Sequence, residues 1–199
     1  MPRFCFVLAL ITGLLLPALV QAETAVWNEQ SERLELSRFV DYRVESSPIS
    51  FSQVQALPES EWQQNGSDSV SLGYGGDVYW FRVSLRNARA AEALTFLEIS
   101  YPVLDRIELY RSSGASPPQP LVLGDKQPFH ERPIHHRNFL VPIAIAPDTT
   151  ETLYLRVETT SSMQVPLTLW DQDAFYEAEQ SRSMFEGVYY GIVLVMILY

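Results

Sequence analysis

The chain has 199 residues, with 14 Lys and Arg against 24 Asp and Glu, a formal net charge of −10, and one cysteine. That balance argues against nucleic acid and against adhesion to anionic headgroups, and a lone thiol leaves no disulfide framework. The length suits one domain with a sizeable core, and 12% aromatics with 13 prolines fit a β-rich fold with many turns.

In chain order, "MPRFCFVLALITGLLLPALVQAET" comes first. Arg3 is a basic flank, an apolar stretch runs from Phe4 to about Leu16, and the small-residue site Val20-Gln21-Ala22 follows. This predicts a signal peptide over residues 1–22, cleaved before Glu23. Cys5 lies inside it, so the exported chain is cysteine-free. Residues 23–33 read as a polar lead-in.

Short apolar-alternating runs then recur between turn residues. "RFVDYRVE" and "ISFSQV" read as weak strands. "DVYWFRVSLRN" is a strong one, with Tyr79, Phe81, Val83 and Leu85 on one face and Trp80, Arg82 and Ser84 on the other. "ALTFLEIS", "DRIELYR", "NFLVPIAI", "ETLYLRVET" and "QVPLTLW" complete the series, separated by breakers such as "GYGG" and "APDTT". About eight strands with no room for crossover helices predict an all-β antiparallel sandwich or jelly roll over residues 34–170. Asp171 is placed to cap a helix starting near Gln172, so residues 171–186 read as a connecting helix. The closing "GVYYGIVLVMILY", 187–199, carries no charge and no proline. At about 1.5 Å per residue it reaches only about 20 Å, against a hydrocarbon core of about 30 Å, and reads as the start of a membrane span cut short. The last strand then joins the span with almost no slack.

The ordered series "DVYWFRVSL", "LEISYPVLDRIELYR", "GDKQPFHERPIHHRNFLVPI", "ETLYLRVETTSSMQVPLTLW" and "GVYYGIVLVMILY" resembles the extracellular type-2 sensory domain of bacterial seven-transmembrane receptors with diverse intracellular signalling modules. The resemblance covers most of residues 33–199. It implies a carbohydrate-binding-module-like jelly roll in the periplasm, inner-membrane helices after it, and a cytoplasmic histidine kinase or diguanylate cyclase as output. It also implies a carbohydrate or Ca2+ as ligand.

The residues themselves leave the site open. "GDKQPFHERPIHHRNF" crowds Asp125, Lys126, His130, Glu131, Arg132, His135, His136 and Arg137 between two strands. Asp125, His130, Arg132 and His136 are candidate hydrogen-bond partners for a sugar, with Trp80 or Phe129 to stack on its ring and Arg82 beside Trp80. A solvated loop is the plainer alternative. Zinc at His135 and His136 is disfavoured, because adjacent strand residues point to opposite faces. A discontinuous Ca2+ site would draw on Asp77, Asp105 and Asp125, each of which also suits a turn. No nucleophile elbow is present and the exported chain has no thiol, so catalysis in this segment is not expected. The alternative to a ligand sensor is an interaction domain that pairs with a second copy or a partner receptor.

Overall fold

The computed structural model describes residues 23–112 and 119–199; the expected signal peptide, with Cys5, lies outside the described residues. Within them the chain builds two facing sheets, a two-stranded ribbon and one long helix.

The first sheet grows around β6, Tyr79–Asn87, the strand with the clearest alternation. The others in chain order are β1 (Thr24–Trp27), β2 (Arg33–Glu35), β3 (Asp41–Val44), β4 (Gln63–Gln64) and β5 (Ser71–Tyr74) before it. After it come β7 (Ala93–Ile99), β8 (Arg106–Arg111), β9 (Leu121–Leu123), β10 (Phe139–Ile145), β11 (Thr150–Glu158), β12 (Ser162–Gln164) and β13 (Leu167–Asp171). The first sheet runs β4-β3-β6-β11-β8-β9, and β1 lies parallel to the end of β6 beyond β3. The second runs β10-β7-β13-β2, all antiparallel, and β5 pairs with β12. The result is a sandwich-like, mostly antiparallel fold.

Register explains the core. Phe81 on β6 faces Leu155 on β11, which faces Leu109 on β8, so one row of large apolar groups crosses the first sheet. Opposite it, Val141, Leu97 and Leu169 form a row across β10, β7 and β13. Both rows are buried in one cluster between the sheets. Each side chain of this kind contributes roughly 1.5–3 kcal/mol when removed from water, which makes this interlayer the main source of stability.

Two expectations fail here, for identifiable reasons. "ISFSQV" is not a strand, because Phe51–Gln55 forms a short helix, α1. Ser50 accepts from the Gln53 amide and the Gln53 side chain reaches back to Ser50 N–H, a capping box that outweighs the strand-like alternation. Nor is 23–33 merely a lead-in. β1 buries Ala25 and Trp27 in the core, and its parallel pairing breaks the all-antiparallel pattern. Four residues are too short for a period to show against polar neighbours.

α1 covers the outer face of the first sheet. Phe51 stacks on Tyr110 at 4.4 Å and meets Tyr154 edge-on at 5.4 Å, closing a second cluster with Val54, Trp62 and Trp80. Replacing Phe51 with Ala is expected to cost about 3 kcal/mol in urea unfolding, against less than about 1 kcal/mol for the half-exposed Val26→Ala on β1. Equal effects would show that α1 does not seal this face.

Candidate functional site

The outer face of the second sheet is built differently. Alternation sends Phe96 and Glu98 of β7, Leu140 of β10, Thr168 and Trp170 of β13 and Arg33 and Glu35 of β2 outward. No short helix covers them. Instead α2, Gln172–Leu198, starts directly from β13, with the Asp171 carboxylate accepting from the Asp173 amide as the sequence predicts. Its first turn sets Phe175 edge-on to Phe96 at 5.6 Å, Trp170 at 5.8 Å and the His136 ring at 5.5 Å. Phe175 is 3% exposed, the one buried side chain of a helix that otherwise stands in the open.

One turn on, Glu179 closes a polar clasp. It accepts two bonds from Arg137, at 2.8 and 3.1 Å, lies 3.2 Å from His136 Nε2 and 3.4 Å from Arg182. Arg137 also lies 3.9 Å from Glu186. Phe175, Glu179, Arg182 and Glu186 recur at steps of four, three and four residues, one stripe of the helix. His136 Nδ1 accepts from the Asn138 amide at 3.1 Å, which leaves its proton on Nε2, facing Glu179. The ion pairs are partly exposed and supply about 1 kcal/mol or less each, whereas burying Phe175 supplies about 2 kcal/mol. The aromatic contact holds the helix; the charges set its register.

The loop that delivers His136 and Arg137 is braced from within. Arg132 lies over Phe129 at 4.9 Å and Phe139 at 4.6 Å and donates to the carbonyls of His136 and Arg137. Burial pushes its guanidinium pKa down. At the loop's base Gly124 has φ 143°, and a Cβ there would sit 2.1 Å from the Asp105 carbonyl oxygen, so no other residue fits.

Beside the clasp is a cleft of about 520 Å³. Glu98, Thr168 and Trp170 form its floor, Arg33 and Glu35 one side, and Arg137, Asn138 and Arg182 the side next to α2. Glu98 is 8% exposed and accepts from Asn138 Nδ2 at 2.6 Å and Trp170 Nε1 at 2.8 Å, so the floor is held rigidly. The volume falls in the range of small-ligand sites, roughly 300–1,000 Å³.

Residues 36–171, the sandwich up to the start of α2, match the family model described as 7TMR-DISM extracellular 2. The chain belongs to this family. No curated protein matches it. DISM extracellular 2 domains are non-catalytic sensory domains on the outside of seven-transmembrane receptors. That accords with α2, which is long and apolar enough, by length and composition, to cross a membrane.

Within this DISM domain the sequence-predicted site residues scatter. Trp80 and Arg82 lie on the outer face of the first sheet under α1. Trp80 is 1% exposed and donates to Glu45, so no ring face is left for a ligand, and Arg82 is bound by Asp41 and Glu59 and lies over Trp62. Phe129, His130 and Asp125 do not line the cleft. Of these residues only His136 reaches the clasp directly, and Arg132 supports it by donating from its guanidinium to the His136 and Arg137 carbonyls. Asp77, Asp105 and Asp125 do not gather. Asp105 is taken by Lys126 at 2.6 Å and by Thr160, whose bonds hold its carboxyl below the usual range, and no metal-holding group of His, Cys, Asp or Glu occurs among the described residues. Sequence reasoning missed Glu98, Trp170, Phe175, Glu179 and Arg182. The lone charge in the strand "ALTFLEIS" was the available signal.

The sealed face has a pH signature. Hydrogen bonds from Arg156 hold the Glu45 carboxyl below its ordinary value. A carboxyl depressed by folding contributes stability above its unfolded pKa of about 4.3 and loses it as pH falls through the folded value. Glu45→Gln is expected to lower stability at pH 7 by about 2 kcal/mol and to flatten the acid limb below pH 4. An unchanged acid limb in urea titrations would remove Glu45 from that account.

Proposed function

We propose that this domain binds a small polar ligand in the cleft beside α2 and reports its presence through that helix. A carbohydrate suits the cleft best. The reading is carried by one observation: the cleft is lined by the sheet and by the helix together, Glu98, Thr168 and Trp170 on one part and Arg182 on the other. A ligand touching both senses their relative position, and a ligand shifts an equilibrium only by binding its two states with different affinity. Fixed hydrogen-bonding groups on a rigid floor suit sugar hydroxyls, which need oriented donors and acceptors. Three arginines at the rim oppose a cation, so a carbohydrate is favoured over Ca2+ at this place.

In this reading the domain is a periplasmic jelly roll related to carbohydrate-binding modules, held at the bacterial inner membrane. α2 leads into the first of the membrane helices, and a cytoplasmic kinase or diguanylate cyclase receives the signal. Phe175 is the point of transmission, because it carries most of the adhesion between sheet and helix.

Calorimetry of the full chain in detergent micelles, against neutral and acidic monosaccharides and Ca2+, tests binding. At least one sugar is expected to bind, and Glu98→Gln to weaken it about tenfold, the scale of one hydrogen bond to a charged group. Phe175→Ala, which undocks the helix with or without ligand, is expected to shift that affinity measurably and to abolish any ligand effect on amide exchange across residues 172–186. Silence across the panel would defeat direct sensing and favour the interaction-domain alternative.

A further inference from the structure

Donor and acceptor numbers at the cleft do not balance. Arg137 and Arg182 each carry five N–H donors, and the carboxylate they share, Glu179, offers about four acceptor sites, one of which His136 uses. Among the described residues Arg182 is held only by its 3.4 Å approach to Glu179, and its side chain is more than half exposed. Arg33, across the cleft, pairs with Glu35 on one nitrogen and lies over Trp170 at 4.9 Å, which fixes its plane and leaves its remaining donors without a partner among the described residues. Three guanidinium groups thus border one opening on a chain whose net charge is −10. The carboxylates in the same cleft are already engaged: Glu98 accepts from Asn138 and Trp170, and Glu35 from Thr168 and Arg33.

The geometry points to a carboxylate-bearing ligand, an acidic sugar, whose carboxylate is drawn in by Arg182 and competes with Glu179 for Arg137, the pair that ties α2 to the sandwich, and so loosens α2 from it. This deepens the cleft reading given above and rests on it. Arginine's planar fork suits bidentate capture of a carboxylate. Two carboxylates drawn to the same pair of cations repel each other over a few ångströms, so the arrival of one weakens the hold on the other. The sugar hydroxyls would meet Glu98, Asn138 and Thr168 on the floor, while the acid group sits at the α2 end. Binding and release of the helix are then one event. Reciprocity follows: the factor by which the ligand weakens the Glu179 contact is the factor by which that contact weakens the ligand.

That reciprocity supplies the test. The full chain in detergent micelles is titrated with galacturonate, galactose and succinate, as wild type and as the Arg182→Gln and Glu179→Gln variants. Neither side chain belongs to a buried apolar cluster, so folding is not at stake, and near-UV circular dichroism verifies this. Galacturonate is expected to bind at least tenfold tighter than galactose, and Arg182→Gln to erase most of that preference. Glu179→Gln is expected to raise galacturonate affinity about tenfold, leave galactose unchanged, and increase amide exchange over residues 172–186 without ligand. Succinate binding as tightly as galacturonate supports the carboxylate readout and assigns it to free acids rather than sugar acids. Galactose binding as tightly as galacturonate, with Glu179→Gln without effect on either, overturns this inference and leaves the neutral-sugar cleft standing. Failure of every acid to bind overturns it as well, while the Phe175→Ala exchange experiment still judges coupling separately.

Discussion

Phe175 is the contact on which the arrangement depends. Remove its ring from the pocket of Phe96, Trp170 and the His136 imidazole, and the sandwich and the helix keep the chain connection, the half-exposed Tyr176 at the edge of Phe96 and a few partly exposed ion pairs. Ion pairs of that exposure hold little. Buried aromatic area holds more, and three edge-to-face contacts also fix direction. A helix of 27 residues extends about 40 Å, so a small rotation at its first turn becomes a displacement of ångströms at its far end.

The two outer faces of the sandwich divide the work. The first is closed with α1, an aromatic cluster and a network in which Arg82 and Arg156 are matched by Asp41, Glu59 and Glu45. Burial pushes the Asp41 carboxyl up despite Arg82, a sign of how little water reaches that face. The second face is left to the helix and the cleft. Its charged groups are shared: Glu179 serves three nitrogen-bearing side chains, and Arg137 reaches toward two carboxylates on α2. Covered pairs such as Arg82–Asp41 and Arg156–Glu45 hold one arrangement, whereas the more exposed pairs of Arg137 and Arg182 leave neighbouring arrangements closer in energy, which a sensor requires.

The loop "GDKQPFHERPIHHRNF" carries internal contacts that its composition does not announce. Its density of His and Arg marks it as functional in the sequence, and the natural reading is a surface that meets ligand. In the fold its strongest constraint is internal. Arg132, set between two phenylalanines, grips the backbone so that His136 and Arg137 point at α2. Trp80 and Arg82 illustrate the reverse. Alternation correctly sends them away from the main core, but nothing local announces that residues 50–62 fold back over them.

Local periodicity determined much of this protein before any tertiary contact was known. It gave the long alternating strands, their inward faces, the cap at Asp171 and the apolar run of α2, because those properties depend on neighbours two to four residues away. The tertiary structure decided what periodicity has no access to. It paired β1 in parallel with β6, laid α1 on one outer face and α2 on the other, and brought Glu98, Arg33, Arg137 and Arg182 to one opening from four separate segments. Pairing and docking depend on shape and charge matched across tens of residues, and a single sequence records each half of such a match without recording that the halves meet.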